Sequence, residues 1–222
     1  MNTGHDGSLS TGHANSTHDM LSRLETMVLQ EKLTTKEDLD RDVKNYMKLL
    51  PFNNLGIMML AWQRADDPDF LRQLDEVSMA VKTPREVREG TVKLCRRFLK
   101  LWKQLREYKS LAWYQVEVKE GRCIGDHSIA VGLNAREIGL EQELAGAVYV
   151  YNLITSIVTN AVKTVPLSQI AGQQILNQAL EQVEECVAKA KEVEKEDLGV
   201  GGTQMDIAAM NHETLYSRLY MS

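Results

Sequence analysis

Residues 141–164 constrain the fold more than any other part of the chain. This stretch is the most apolar segment and is hydrophobic on more than one helical face, so other elements have to cover it on several sides. We predict a central buried helix, with Gly132, Gly139 and Gly146 allowing neighbouring helices to approach closely. The longest apolar run, residues 144–158, is interrupted by Tyr, Asn and Thr, and we therefore predict no membrane span.

Start and stop signals divide much of the remaining chain into further helices. Thr34 or Thr35 can cap one helix, which Pro51 ends, and residues 66–68 (Asp-Asp-Pro) form a turn before the next. The chain has only four prolines and few β-branched or aromatic runs. The sequence therefore predicts an all-α, single-domain bundle of about eight to ten helices.

The helix predicted from Thr83 to about Arg106 has the clearest start signal and an unusual charge. Thr83 can cap it, Pro84 suits its first position, and Glu86 completes a capping box. It carries eight cations against two acids, yet the whole chain has a net charge of −5. That balance favours a solvated face or an acidic protein partner over nucleic acid. The predicted buried stripe consists of Val87, Leu94, Cys95, Phe98, Leu101, Trp102 and Leu105.

Two parts of the chain have a weaker helical pattern. Within residues 107–126, the run 111–114 fits a helical turn, whereas residues 114–118 alternate like a strand, and the pattern alone leaves both open. Residues 1–18 are mostly Gly, Ser, Thr, His and Asn and cannot bury enough apolar surface to order themselves. We predict a disordered tail over residues 1–18 and one helical domain over residues 19–222.

The cysteines and the N-terminus indicate a compartment. Cys95, Cys123 and Cys186 are odd in number and widely separated, which argues against a disulfide framework and fits a reducing environment. The N-terminus has no basic segment followed by an apolar one, as a secretory signal would. We therefore expect a cytoplasmic protein.

A search for catalytic or metal-binding motifs yields no catalytic and no metal residue. The glycines of residues 199–202 are not followed by the Lys-Ser or Lys-Thr of a phosphate-binding loop, so a linker is the better interpretation. The five histidines never pair at helical metal spacing. The carboxylates of residues 181–197 alternate with lysines, as on a solvated helix face.

Three segments resemble the signatures of the UreF family of urease accessory proteins. They are residues 82–89 (KTPREVRE), residues 162–174 (VKTVPLSQIAGQQ) and the terminal residues 206–222, which end in HETLYSRLYMS. The likeness extends over most of the chain from about residue 20. The family's apolar start and its His-Ser-x-Gly-Leu-Glu motif are absent here, except that residues 24–26 (Leu-Glu-Thr) keep part of the pattern.

The resemblance implies an all-helical, cytoplasmic, dimeric protein that is not an enzyme. It would bridge a UreD-type (or UreH-type) accessory protein and the GTPase UreG on apo-urease, supporting GTP-dependent nickel insertion and modulating the GTPase. Nickel, GTP and magnesium would then belong to the partners, and the chain would carry no cofactor. Two alternatives are a stand-alone nickel-binding chaperone using His13, His18 and the cysteines, and a helical hydrolase using the carboxylates of residues 181–197.

Partner-binding residues follow from the resemblance, position by position. Arg218 can engage a carboxylate through two hydrogen bonds and is the strongest single candidate. Pro166 should break the helix and expose Lys163 beside the break, and Ser168 should cap the helix that follows. We expect the terminal signature to contact the UreD-type partner and the region around Lys163 to contact the GTPase. The candidate residues are Glu25, Lys163, Pro166, Ser168, Gln169, Gln173, His212, Glu213, Tyr216, Ser217, Arg218 and Tyr220.

Overall fold

The computed structural model describes residues 18–201, 206–207 and 210–211, with side chains from residue 24 onward. Residues 18–201 form ten α-helices, two short 3-10 helices at Leu50–Phe52 and Lys195–Asp197, and no strand. The predicted all-α class is therefore confirmed. The α-helices are α1 His18–Leu29, α2 Lys36–Leu49, α3 Asn54–Gln63, α4 Pro68–Ala80, α5 Arg85–Leu105, α6 Lys109–Lys119, α7 His127–Glu137, α8 Gln142–Thr164, α9 Gln169–Leu180 and α10 Val183–Lys191.

Helix α8 lies at the centre of the larger of two hydrophobic clusters, as its sequence predicts. Val150, Leu153, Ile154 and Ile157 are almost fully buried against residues of α1, α3, α9 and α10. Contrary to expectation, α8 is long and apolar enough to cross a bilayer by length and composition, because its few polar residues lower its mean hydropathy only slightly. One such helix is weak evidence for a membrane span, because core helices of soluble proteins pass the same test, and α8 packs against α1, α3, α9 and α10 here.

The second cluster joins α3 and α7 to α4, α5 and α6. Ile57, Leu74 and Ile129 are fully buried in it. Gly132 confirms the predicted close approach, because a Cβ atom there would clash with the carbonyl group of Met58 on α3. The prediction for Gly139 is wrong: no other element lies within 4 Å of its would-be Cβ atom, and its φ of +78° instead marks the end of α7.

The helix starts for which the sequence offered a clear local signal follow it, with one exception. Thr35 caps α2 through a complete capping box with Asp38, and the side chain of Asp67 caps α4 by accepting from Phe70 N at 3.1 Å. The predicted capping box at Thr83 is wrong, because α5 begins one residue later, with Pro84 at its N-cap and no side-chain cap bond. The Thr83 carbonyl instead accepts a hydrogen bond from the Arg88 guanidinium, as described below.

Tertiary packing resolves the two uncertain patterns. Residues 109–119 form helix α6, so the strand interpretation of residues 114–118 is wrong; Leu111 and Tyr114, three residues apart, are both buried on one face. The predicted stripe of α5 holds for Leu94 and Cys95 but fails at its end. Leu101 and Leu105 are 52% and 65% exposed, whereas Phe98 and Trp102 of the same predicted stripe pack against the second cluster.

Candidate partner-binding site

The corner between α8 and α9 presents most of the central signature to solvent. Val165 ends α8, donates its backbone N–H to the Ala161 carbonyl at 2.8 Å, and is 1% exposed, so it anchors the corner in the core. Lys163 in the last turn of α8 and Pro166 after it are exposed. The proline breaks the helix as predicted, and the buried Val165 fixes where the break points.

Helix α9 begins at this corner with the predicted serine cap. The Ser168 hydroxyl accepts a hydrogen bond from Ala171 N at 3.1 Å, and Gln169 opens the helix. Gly172 lies against α8, where an added Cβ would stand 2.7 Å from Cγ2 of Val162. This close approach turns the opposite face of α9, with Gln169 and Gln173, toward solvent.

Ile170 is a member of this surface that the sequence reasoning missed. Its side chain is 72% exposed beside the polar residues Gln169 and Gln173. A signal existed: the buried residues of α9 follow helical spacing, and Ile170 lies off that stripe. A solvent-exposed isoleucine that is surrounded by polar side chains is a candidate anchor for a partner protein.

The α8–α9 corner surface, defined as Lys163, Pro166, Gln169, Ile170 and Gln173, has one charge. No ion pair of Lys163 occurs among the described residues, so its ammonium group is available to a carboxylate of another protein. Outside this set, the Lys36 side chain donates to Gln174 Oε1 at 2.7 Å and ties α2 to α9. The corner is therefore a fixed surface with one cation and one apolar side chain.

Glu25 occupies a different environment from the corner. It lies in α1 and is 1% exposed, next to the fully buried Thr26. Glu25 already takes part in an interaction within this structure, and its burial leaves almost none of its surface open to a partner. The structure therefore does not bring Glu25 together with Lys163, and its role in partner binding stays a prediction.

The terminal candidates His212, Glu213, Tyr216, Ser217, Arg218 and Tyr220 lie outside the described residues. The chain that leads toward them is anchored beside the start of α3. Gly199 N donates to the Phe52 carbonyl at 2.9 Å, and the Asn53 side chain donates to the Val200 carbonyl at 3.0 Å. Gly199 has a φ of +91° and lies so close to Val81 that a Cβ would stand 2.6 Å from it.

An apolar stripe on α8 is a second surface that the sequence did not resolve. Leu144, Val148 and Tyr151 are 53%, 44% and 43% exposed, and their spacing places them on one helical face. The sequence showed that α8 is apolar on more than one face but not which face the bundle leaves open. Together these residues form the α8 stripe, on the helix that ends at the corner surface.

The cysteine thiols of the described residues are buried, and neither they nor the His127 imidazole are arranged as metal ligands. No group of three or more His, Cys, Asp or Glu residues there could hold a metal ion. Burial raises the pKa of both Cys123 and Cys186 to about 12, which keeps these thiols protonated at neutral pH. Burial lowers the pKa of His127 to about 4, so its imidazole is neutral.

Comparison with known proteins identifies the family. The family model for UreF matches residues 33–180, which include α2 to α9 and the corner surface. The chain is 35% identical over 202 residues to the urease accessory protein UreF of Actinobacillus pleuropneumoniae serotype 5b, covering 90% of this chain and 89% of the relative. It is 34% identical to UreF of Haemophilus influenzae strain PittGG and 31% identical to UreF of Bacillus sp. strain TB-90, each covering 90% of this chain and 86% and 89% of the relative. The chain therefore belongs to the UreF family of urease accessory proteins.

Proposed function

We propose that this protein is a non-catalytic scaffold that bridges a UreD-type (UreH-type) accessory protein and the GTPase UreG on apo-urease. Membership in a family of urease accessory proteins supports this role, and the exposed corner surface around Lys163 is the observation that carries it. Its mechanism is positional: the scaffold holds the GTPase where nickel is released and couples nucleotide state to docking. We place this activity in the cytoplasm.

We assign the central signature, residues 162–174, to UreG and the terminal signature, residues 206–222, to the UreD-type partner. Lys163 and Ile170 contact UreG, with the ammonium group pairing with a carboxylate and the isoleucine filling an apolar recess. The terminal signature, with Arg218, contacts the UreD-type partner. Support for two separate contacts comes from the chain path: the corner is built by α8 and α9, whereas the C-terminal segment departs beside Phe52 and Val81.

Nickel, GTP and magnesium are handled by the partners in this proposal. The raised pKa values of Cys123 and Cys186 support it, because protonated buried thiols are poor nickel ligands. Equilibrium dialysis of the isolated chain with nickel separates this role from that of a stand-alone chaperone. We expect no stoichiometric tight binding, and sub-micromolar binding of one nickel ion would favour the chaperone.

The bridging role is tested by size-exclusion chromatography with light scattering. The chain is run alone, with the UreD-type partner, and with UreG and GTP added. We expect a complex with two copies of each of the first two proteins, which captures UreG only when the UreD-type partner is present. A chain that ignores both partners would overturn the proposal.

Two variants separate the contacts in that experiment. We expect Lys163→Glu to weaken capture of UreG by about tenfold or more while the UreD-type partner stays bound. Arg218→Ala should weaken binding of the UreD-type partner and leave the helical circular dichroism unchanged. Lys48→Glu, at an exposed lysine on α2, is the matched control. Equal capture of both partners by all three variants would remove these residues from the contacts.

A further inference from the structure

A groove between α4 and α5 is an open feature of the molecule apart from the surfaces described so far. It has a volume of about 700 Å³ and is lined by the second half of α4, the first half of α5 and the loop after α6. Its apolar side chains are Met79, Ala80, Val92 and Ile124. Ile124 is 49% exposed, Ala80 is exposed and Val92 is half-buried, whereas Met79 lies buried at the floor. The described residues therefore leave part of this apolar surface uncovered.

A buried carboxylate fixes Ile124 at one side of the groove. Asp75 on α4 is 1% exposed, and its Oδ2 atom accepts a hydrogen bond from Ile124 N at 2.6 Å. Its Oδ1 atom accepts from Gly125 N at 3.1 Å and Asp126 N at 3.2 Å, and the Tyr114 hydroxyl donates to the same oxygen. The loop that carries Ile124 is therefore tied to α4 by three hydrogen bonds to one side chain, and Tyr114 on α6 adds a fourth to the same carboxylate.

The connection between α4 and α5 is fixed in the same way. Lys82 Nζ donates to Asp126 Oδ2 at 2.6 Å and to the Ser78 carbonyl at 3.1 Å. The Arg88 guanidinium donates to the carbonyls of Lys82 and Thr83 at 2.7 and 2.5 Å. Both walls and the loop are thus held in place within the free chain, so a ligand would lose little free energy in ordering the groove.

Helix α5 gives the groove a basic border, defined as Lys93, Arg96, Lys100 and Lys103. Lys93 and Arg96 line the groove, and helical spacing continues the border along the same side of α5. Residues 91–106 contain six cations and no acid, in a chain whose net charge is −5. Among the described residues, no carboxylate forms an ion pair with Arg96, Lys100 or Lys103.

We propose that this groove binds an acidic amphipathic segment of a partner protein. The apolar face of the segment lies on Met79, Val92 and Ile124, and its carboxylates pair with the basic border. Nucleic acid fits less well, because the apolar floor of the groove offers its phosphates no partner. The proposal does not depend on which partners the corner surface and the terminal signature bind.

Fluorescence anisotropy with the full chain tests the proposal. The probes are a synthetic helical peptide with leucines on one face and glutamates on the other, a scrambled peptide of the same composition, and a single-stranded RNA of equal charge. We expect the amphipathic peptide to bind at least about tenfold more tightly than either of the other two, and its affinity to fall as salt is added. Equal binding of the scrambled peptide, or tighter binding of the RNA, would overturn it.

Variants locate the binding site. The double variant Arg96→Glu and Lys100→Glu should weaken the amphipathic peptide by about tenfold or more, and Ala80→Trp, which fills the groove at an exposed position, should do the same. The control, Lys32→Glu with Lys48→Glu, makes the same charge change at exposed lysines that do not line the groove. If the control weakens binding as much as the border variant, or if Ala80→Trp has no effect, the groove is not the site.

Hydrogen exchange provides an independent readout on the unmodified chain. Bound peptide should slow exchange in the second half of α4, the first half of α5 and residues 120–125, which together surround the groove. Protection confined to other helices would contradict the assignment.

Discussion

At the scale of single residues, the Lys82–Asp126 ion pair joins the connection between α4 and α5 to the start of α7. The Nζ and Oδ2 atoms are 2.6 Å apart, and the two side chains are 9% and 0% exposed. Burial pushes the pKa of Asp126 upward, but the attraction and hydrogen bond from Lys82, together with the hydrogen bond from Ser128 N, hold the pKa below its ordinary value. Such a pair is costly to break, because either charge left alone has lost its water and its partner.

We predict that Lys82→Met lowers the free energy of unfolding by about 3–5 kcal/mol, because Asp126 stays buried without its partner. Urea unfolding at neutral pH measures the change. The control is Lys189→Met, which removes an exposed pair with Glu192 at 3.6 Å and should cost about 0–1 kcal/mol. Equal losses in the two variants would show that the Lys82–Asp126 pair has no special role in stability.

At the scale of helices, Glu117 connects α6 to α4 and to the loop after α6. Its carboxylate accepts hydrogen bonds from Arg122 at 2.7 and 3.0 Å and from Arg72 at 2.7 Å. These hydrogen bonds, the one from Arg122 first, lower the pKa of Glu117 from 4.5 to about 2. The sequence of this region, residues 107–126, was compatible with both a helix and a strand. The sequence does not show that Leu111 and Tyr114 are buried on the same face, and that burial is what favours the helix.

We predict that Glu117→Gln destabilises the protein at neutral pH and that the difference from the unmodified chain shrinks as the pH falls from 4.5 toward 2. The sign follows from a folded-state pKa that is lower than the unfolded one: the carboxylate contributes stability above pH 4.5 and loses it on protonation. Thermal unfolding across this pH range checks it. Glu192→Gln, at an exposed pair, should show no comparable pH dependence, and a pH-independent difference for Glu117→Gln would contradict the assignment.

At the scale of the whole molecule, the α8 stripe is the surface that we expect to join two copies of the chain. Leu144, Val148 and Tyr151 are each more than 40% exposed on the helix that otherwise forms the core. Exposed apolar side chains on one helical face are typical of a contact between protein copies. A dimer built on this stripe would carry the corner surface once in each copy and, on the proposed function, would present two UreG contacts.

We predict that Val148→Glu converts a dimer into a monomer, because the new carboxylate would be buried without a partner in the interface. Light scattering on the isolated chain measures the mass. The matched control is Leu105→Glu, at the exposed end of α5, which should leave the mass unchanged. A dimer that survives Val148→Glu, or a chain that is monomeric without any change, would exclude the α8 stripe as the interface.

The sequence by itself determined the helices and several features of the candidate site. Thr35, Asp67 and Ser168 act as caps, and Pro166 ends α8, because caps and breaks depend on neighbours within a few residues along the chain. The same local reasoning predicted that Lys163 would be exposed beside the break. Periodicity also identified α8 as the central helix, since a helix that is apolar on several faces has to be covered.

Only the tertiary structure decided which parts of those helices are open. Val148 is exposed while Glu25 is buried, and no residue near them in the sequence distinguishes these outcomes. Lys82 and Asp126 are 44 positions apart, so their pairing depends on how α4, α5 and α7 pack. Burial is set by contacts between distant segments, whereas helix formation is set by nearby ones; the sequence therefore determined the elements, and packing decided the surfaces that can bind partners.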